Sequence, residues 1–93
     1  IAVLEAWEQY LMVKLSFPFD AEVSEHQESG DLQAGDKVSV QHLRMVDERC
    51  GIIVALRQGR ETYQFPLCYL EVLNKKSTNY QPVQDYCVWF ANR

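Results

Sequence analysis

Gly51-Ile-Ile-Val-Ala-Leu-Arg-Gln-Gly-Arg-Glu-Thr-Tyr-Gln-Phe-Pro66 is the stretch that decides the fold. Ile52–Arg57 is a β-branched run suited to a pleated, buried surface, and we expect it to be the central strand. Gln58-Gly59 forms a tight turn, Glu61–Phe65 returns as the hairpin partner, and Pro66 closes that strand. On the N-terminal side, Lys37–Leu43 reads as a strand with Val38 and Val40 facing one way and Ser39 and Gln41 the other. A loop of about eight residues, Arg44 to Gly51, joins it to the hairpin. Further upstream, Phe19, Ala21 and Val23 alternate with Asp20, Glu22 and Ser24, which predicts a strand over Phe19–Gln27. Ser29-Gly30-Asp31 and Ala34-Gly35-Asp36 are turns. Downstream, Leu67–Leu73 holds a short turn and a last strand, Leu70-Glu71-Val72.

The ends of the chain change period. Residues 1–15 predict an amphipathic helix, with Val3, Ala6, Trp7, Tyr10, Leu11 and Lys14 on one face. Pro18 ends it. After the polar connection 74–79, residues 82–92 predict a second helix, with Pro82 at its first position and Val83, Tyr86, Cys87, Trp89 and Phe90 on its apolar face. The expectation is one α+β domain over 1–93: a small SH3-like five-stranded β-barrel, residues 19–73, flanked by N-terminal and C-terminal helices that cover its exposed edges.

Composition excludes several classes. The 93 residues are 47% hydrophobic and 24% charged, with a net charge of −4. That is an ordinary globular balance, which argues against disorder. No apolar run approaches the ~20 residues of a membrane span. An acidic chain with scattered bases is a poor nucleic-acid binder. Cys50, Cys68 and Cys87 are odd in number and contain no CxxC pair, so free thiols in a reducing cytoplasm are expected instead of a disulfide framework or a zinc site. No signal peptide is apparent, and the start at Ile1 suggests that a few residues are missing. His26 and His42 have no spacing relation to a nucleophile, and neither a P-loop nor a GxSxG or HExxH motif occurs, so an enzyme is not expected.

Charge placement points to a ligand class. Between Leu15 and Asp36 stand Asp20, Glu22, Glu25, Glu28, Asp31 and Asp36, six acids with no Lys or Arg among them. Asp20, Glu22 and Glu28 share one parity on the first strand and face solvent. In the expected barrel, loops 28–36, 44–50 and 66–70 meet at one end and gather Glu28, Asp31, Asp36, Asp47 and Glu48. Arg44 and Arg49 flank the second loop and offer surface ion pairs instead. Hard divalent cations take oxygen ligands, and Ca2+ accepts six to eight in loose geometry. No EF-hand spacing is present. Two alternatives stand beside a calcium site: a solubilising acidic face that binds nothing, and an SH3-like interaction module whose acidic end recognises a basic peptide or partner.

Phe17-Pro-Phe-Asp-Ala-Glu-Val23, Gly35-Asp-Lys-Val-Ser-Val40, Gly51-Ile-Ile-Val54, Phe65-Pro-Leu-Cys68, Leu70-Glu71 and Asp85-Tyr-Cys-Val-Trp-Phe-Ala-Asn92 together resemble the small bacterial calcium-binding protein family typified by cyanobacterial CcbP. The resemblance covers nearly the whole chain. It implies an acidic cytoplasmic protein that binds Ca2+ through surface carboxylates, as a buffer or sensor. The acids in matching segments are Asp20, Glu22, Asp36, Asp47, Glu48 and Glu71; Asp31 joins them from the first loop. The chain departs from the family pattern at Tyr69 and Asn74, where the family often carries Asp.

Overall fold

The computed structural model describes residues 2–25 and 30–93, in which α1 spans Ala2–Lys14, β1 Phe19–Val23, β2 Lys37–Asp47, β3 Gly51–Gln58, β4 Glu61–Pro66, β5 Leu70–Val72 and α2 Tyr80–Asn92. A single 3-10 turn, Leu67–Tyr69, separates β4 from β5. The strands form one antiparallel sheet in the order β4-β3-β2-β1-β5.

That order corrects two expectations. β2, not β3, is the central strand. The closed SH3-like barrel is replaced by an open sheet: among the described residues no ladder joins β4 to β5, the two ends of the order. Only the 3-10 turn separates those two edges along the chain, so the sheet has to bend strongly.

The expected loop from Arg44 to Gly51 is also corrected. Arg44–Asp47 continue β2, with Met45 opposite Ile53, Val46 opposite Ile52 and Asp47 opposite Gly51. Only Glu48–Cys50 form the turn. The cause is two register shifts in β2, between Val40 and His42 and between Leu43 and Met45. Each places an extra residue in the strand and bends it. The inward-facing positions then step Val38, Val40, Leu43, Val46, so the two-residue period fails where the strand continues.

The core lies between the inner sheet face and the two helices. Phe19, Ala21, Val23, Val38, Val40, Ile52, Val54, Leu56, Phe65, Leu70 and Val72 are buried from the sheet, and Leu4, Leu11, Val83 and Tyr86 from the helices. The α1 stripe is rotated by about one residue from the expected face. Leu4, Leu11 and Leu15 are buried while Val3 is 55% and Tyr10 40% exposed. Apolar side chains occur on most sides of α1, and burying leucines avoids burying the Tyr10 hydroxyl. Trp7 is common to both faces; its ring lies 5.6 Å from that of Tyr86 and 5.8 Å from that of Trp89, locking α1 onto α2.

α2 begins two residues earlier than expected, so Pro82 is its third residue, still within the first turn where a missing N–H is harmless. The residue before the helix, Asn79, is buried and turns its side chain away from the helix end. Its Oδ1 accepts from the Ser16 N–H at 2.8 Å, and its Nδ2 donates to the Ser16 carbonyl at 2.9 Å. The segment after α1 is thereby clamped to the start of α2, beside the cis Phe17–Pro18 bond. Tyr86 is fully buried, and its hydroxyl accepts the Ile52 N–H at 2.8 Å. Burial pushes its pKa up to about 12. Among the described residues no helix is long and apolar enough to cross a membrane.

Candidate functional site

Because Phe19, Ala21 and Val23 point into the core, β1 is obliged to present Asp20 and Glu22 on the outer face of the sheet. β1 sits between β2 and β5, and the register gives each acid its neighbours. Asp20 lies opposite Ser39. Glu22 lies opposite Lys37 on one side and opposite Glu71 on the other. Directly opposed residues in an antiparallel pair have Cβ atoms ~4.5–5.5 Å apart, and like charges so placed repel. Glu22 and Glu71, 49 positions apart in the chain, therefore form an adjacent carboxylate pair with one lysine beside it.

The other expected ligands are placed differently. Asp31 is exposed, next to the buried anchor Leu32. Asp36 closes its own turn: its Oδ2 accepts the Gln33 N–H at 2.9 Å, and its backbone carbonyl accepts the Val23 N–H at 2.8 Å. Asp47 does the same in the β2–β3 turn, where its Oδ1 accepts from the N–H groups of Arg49 at 2.8 Å and Cys50 at 2.9 Å. Glu48 is exposed and borders a cleft with Val3, Leu4, Trp89 and Arg93. Glu28 and His26 lie outside the described residues. Among the described residues no group of three or more acidic, His or Cys side chains is close enough to hold a metal ion.

The first loop and the 3-10 turn do meet at the end of β1. The N–H of Ser24 donates to the Tyr69 carbonyl at 2.7 Å, and that of Gly35 to the Val23 carbonyl at 2.8 Å. Tyr69 lines a cleft there with Glu25, Cys68, Cys87, Phe90, Ala91 and Arg93. Desolvation is the leading cause of a raised pKa in both of its thiols: it pushes Cys68 up to about 11 and Cys87 up to about 12, so both stay protonated at neutral pH.

Asp47 gives a pH-dependent expectation. The two N–H donors of its turn, Cys50 first and then Arg49, hold its carboxyl below the ordinary carboxylate value. A group whose folded pKa is depressed contributes stability above its unfolded pKa and loses it as pH falls through the folded one. The loss therefore belongs below about pH 4. Because the carboxylate is open to solvent, the effect is small. Acid titrations followed by circular dichroism should show a shallower decline below about pH 4 for Asp47→Asn than for the parent chain. Identical acid limbs would remove Asp47 from the account.

Comparison with known proteins was consistent with this architecture. A family model described as calcium binding, Calci_bind_CcbP, matches residues 2–90. The structure is similar to the crystal structure of CcbP from Anabaena, with a TM-score of 0.73 and 21% identity over 95% of this chain and 73% of that one. It is also similar to a calcium-binding protein solved in its calcium-binding form, with a TM-score of 0.74 and 20% identity over 96% of this chain and 75% of that one. No curated protein matches the chain.

Proposed function

This chain belongs to the CcbP family of calcium-binding proteins, a binding family and not an enzyme family, and on that premise we propose that it holds Ca2+ on the outer face of β1 and β5. The observation that carries this reading is the register that sets Glu22 opposite Glu71. Two adjacent carboxylates supply hard oxygen donors, the chemistry Ca2+ requires, and water completes a loose coordination shell. Asp20, on the same face of β1, adds to the local negative field.

The remaining acids contribute less. The side chains of Asp36 and Asp47 already accept backbone N–H bonds, and Asp31 and Glu48 act through their charge. With donor pairs in place of a closed cage, affinity is low, roughly 10⁻⁴–10⁻³ M. The three free thiols favour a reducing cytoplasm as its location.

Isothermal titration of the parent chain and of Glu22→Gln/Glu71→Gln tests the proposal. The double variant should bind Ca2+ at least about tenfold more weakly, corresponding to ~1.4 kcal/mol. Its calcium-free melting temperature should rise slightly, because a like-charge pair has been removed. Unchanged affinity in the double variant would move the site elsewhere. No heat and no melting shift with millimolar Ca2+ would refute binding.

A further inference from the structure

The outer sheet face divides by charge. Asp20, Glu22 and Glu71 occupy its β1–β5 half, whereas β2, β3 and β4 form a groove of about 530 Å³ whose lining includes Gln41, His42, Arg44, Arg57, Thr62 and Gln64. Among the described residues the lining contains two arginines and a histidine, and no carboxylate. In a chain of net charge −4 this placement runs against the overall balance. The bulges of β2 create it. They fall between Val40 and His42 and between Leu43 and Met45, and so bring His42 and Arg44 to the same groove.

We propose that this groove binds a compact polyvalent oxyanion, a molecule carrying two or more carboxylate or phosphate groups. Arginine forks pair with both groups in bidentate geometry. Thr62 and Gln64 add neutral hydrogen-bonding groups at the wall, while Gln41 is tied back to the Ser39 hydroxyl at 2.7 Å and helps to fix the rim. The volume falls within the usual range for small-ligand sites. A nucleic acid fits less well, because a long polyanion would also meet the acidic half of the same face. Asp20 shares a neighbouring cleft with Lys37, Ser39 and Arg57. It stands opposite Ser39, which in turn stands opposite Arg57, so it opposes an anion from two strands away. The proposal does not depend on calcium binding by the acidic half.

The test is an NMR titration of the isotopically labelled, calcium-stripped full chain with pyrophosphate and, separately, citrate at fixed physiological ionic strength. Amide shifts should concentrate at residues 41–44, 55–57 and 62–64 and saturate in the millimolar range or below. Arg44→Gln and Arg57→Gln should each weaken binding about tenfold, and Asp20→Asn should strengthen it about twofold. Both arginines are exposed, so these variants should fold as the parent does. Saturation by one probe alone would identify the preferred group, phosphate or carboxylate, and support the site. Three results would overturn it: shifts centred on Lys75 and Lys76, affinity unchanged in both arginine variants, or saturation by an oligoglutamate peptide with no response to either small anion.

Discussion

Gly51→Ala should destabilise the fold by about 3–5 kcal/mol, the sum expected from backbone strain, overpacking and a disturbed buried hydrogen bond. Gly51 is buried and has φ +75°, a left-handed conformation that costs any other residue energy. A Cβ there would overlap the Tyr86 hydroxyl and the Phe90 ring. That hydroxyl is the acceptor for the Ile52 N–H, so the methyl group would press on the bond that ties α2 to the first residues of β3. In a domain of this size the loss corresponds to a fall of roughly 15–30 °C in melting temperature. Gly59 is the control. It also has positive φ, +60°, but a Cβ there meets nothing within 4 Å, so Gly59→Ala should cost only the backbone strain, about 1–2 kcal/mol. Equal melting temperatures for the two variants would show that the Tyr86–Phe90 contact does not constrain position 51.

Asn79→Ala ranks second, at about 2–3 kcal/mol. The substitution removes both hydrogen bonds to the Ser16 backbone and leaves those groups to find water at a partly buried site. Asn79→Asp should not rescue it, because a carboxylate oxygen would replace the Nδ2 donor opposite the Ser16 carbonyl. Asn74 supplies the comparison: its side chain accepts the exposed Lys76 N–H at 3.0 Å, so Asn74→Ala should stay within about 0.5 kcal/mol. Urea denaturation midpoints would rank the two. A midpoint for Asn79→Ala equal to that for Asn74→Ala would mean that the clamp between α1 and α2 adds no stability.

The hairpin from Gly51 to Pro66 was legible from its β-branched run and the Gln58-Gly59 turn, and β1 from the clean alternation of buried and outward residues. β2 was legible only as far as Leu43, where its second bulge begins. Beyond Val40 the inward positions fall three apart, and that spacing resembles neither a strand nor a continuous helix. Barrel closure was not legible at all. Five short strands in this order suit a closed barrel or an open bent sheet, and only the pairing of the end strands distinguishes them.

The candidate site shows the same division. The parity that puts Asp20 and Glu22 outward is a local property of β1. The neighbour of Glu22 is not local: Glu71 reaches it through a pairing between the first and last strands, and no spacing in the sequence encodes that register. Asp36 and Asp47 looked like free ligands because an acid in a turn reads the same whether it faces an ion or caps its own backbone. The basic groove was hidden because His42, Arg44 and Arg57 are scattered along the chain and meet only across the bulged β2–β3 ladder.

The central claim, that strand pairing between β1 and β5 builds the calcium-binding surface, is tested most directly by titrating the isotopically labelled chain with Ca2+ and following its backbone amides. Residues 20–23 and 70–73 should shift together along one saturation curve, with Mg2+ producing smaller changes. A response confined to the turns around Asp36 and Asp47, with Glu22 and Glu71 unmoved, would contradict it.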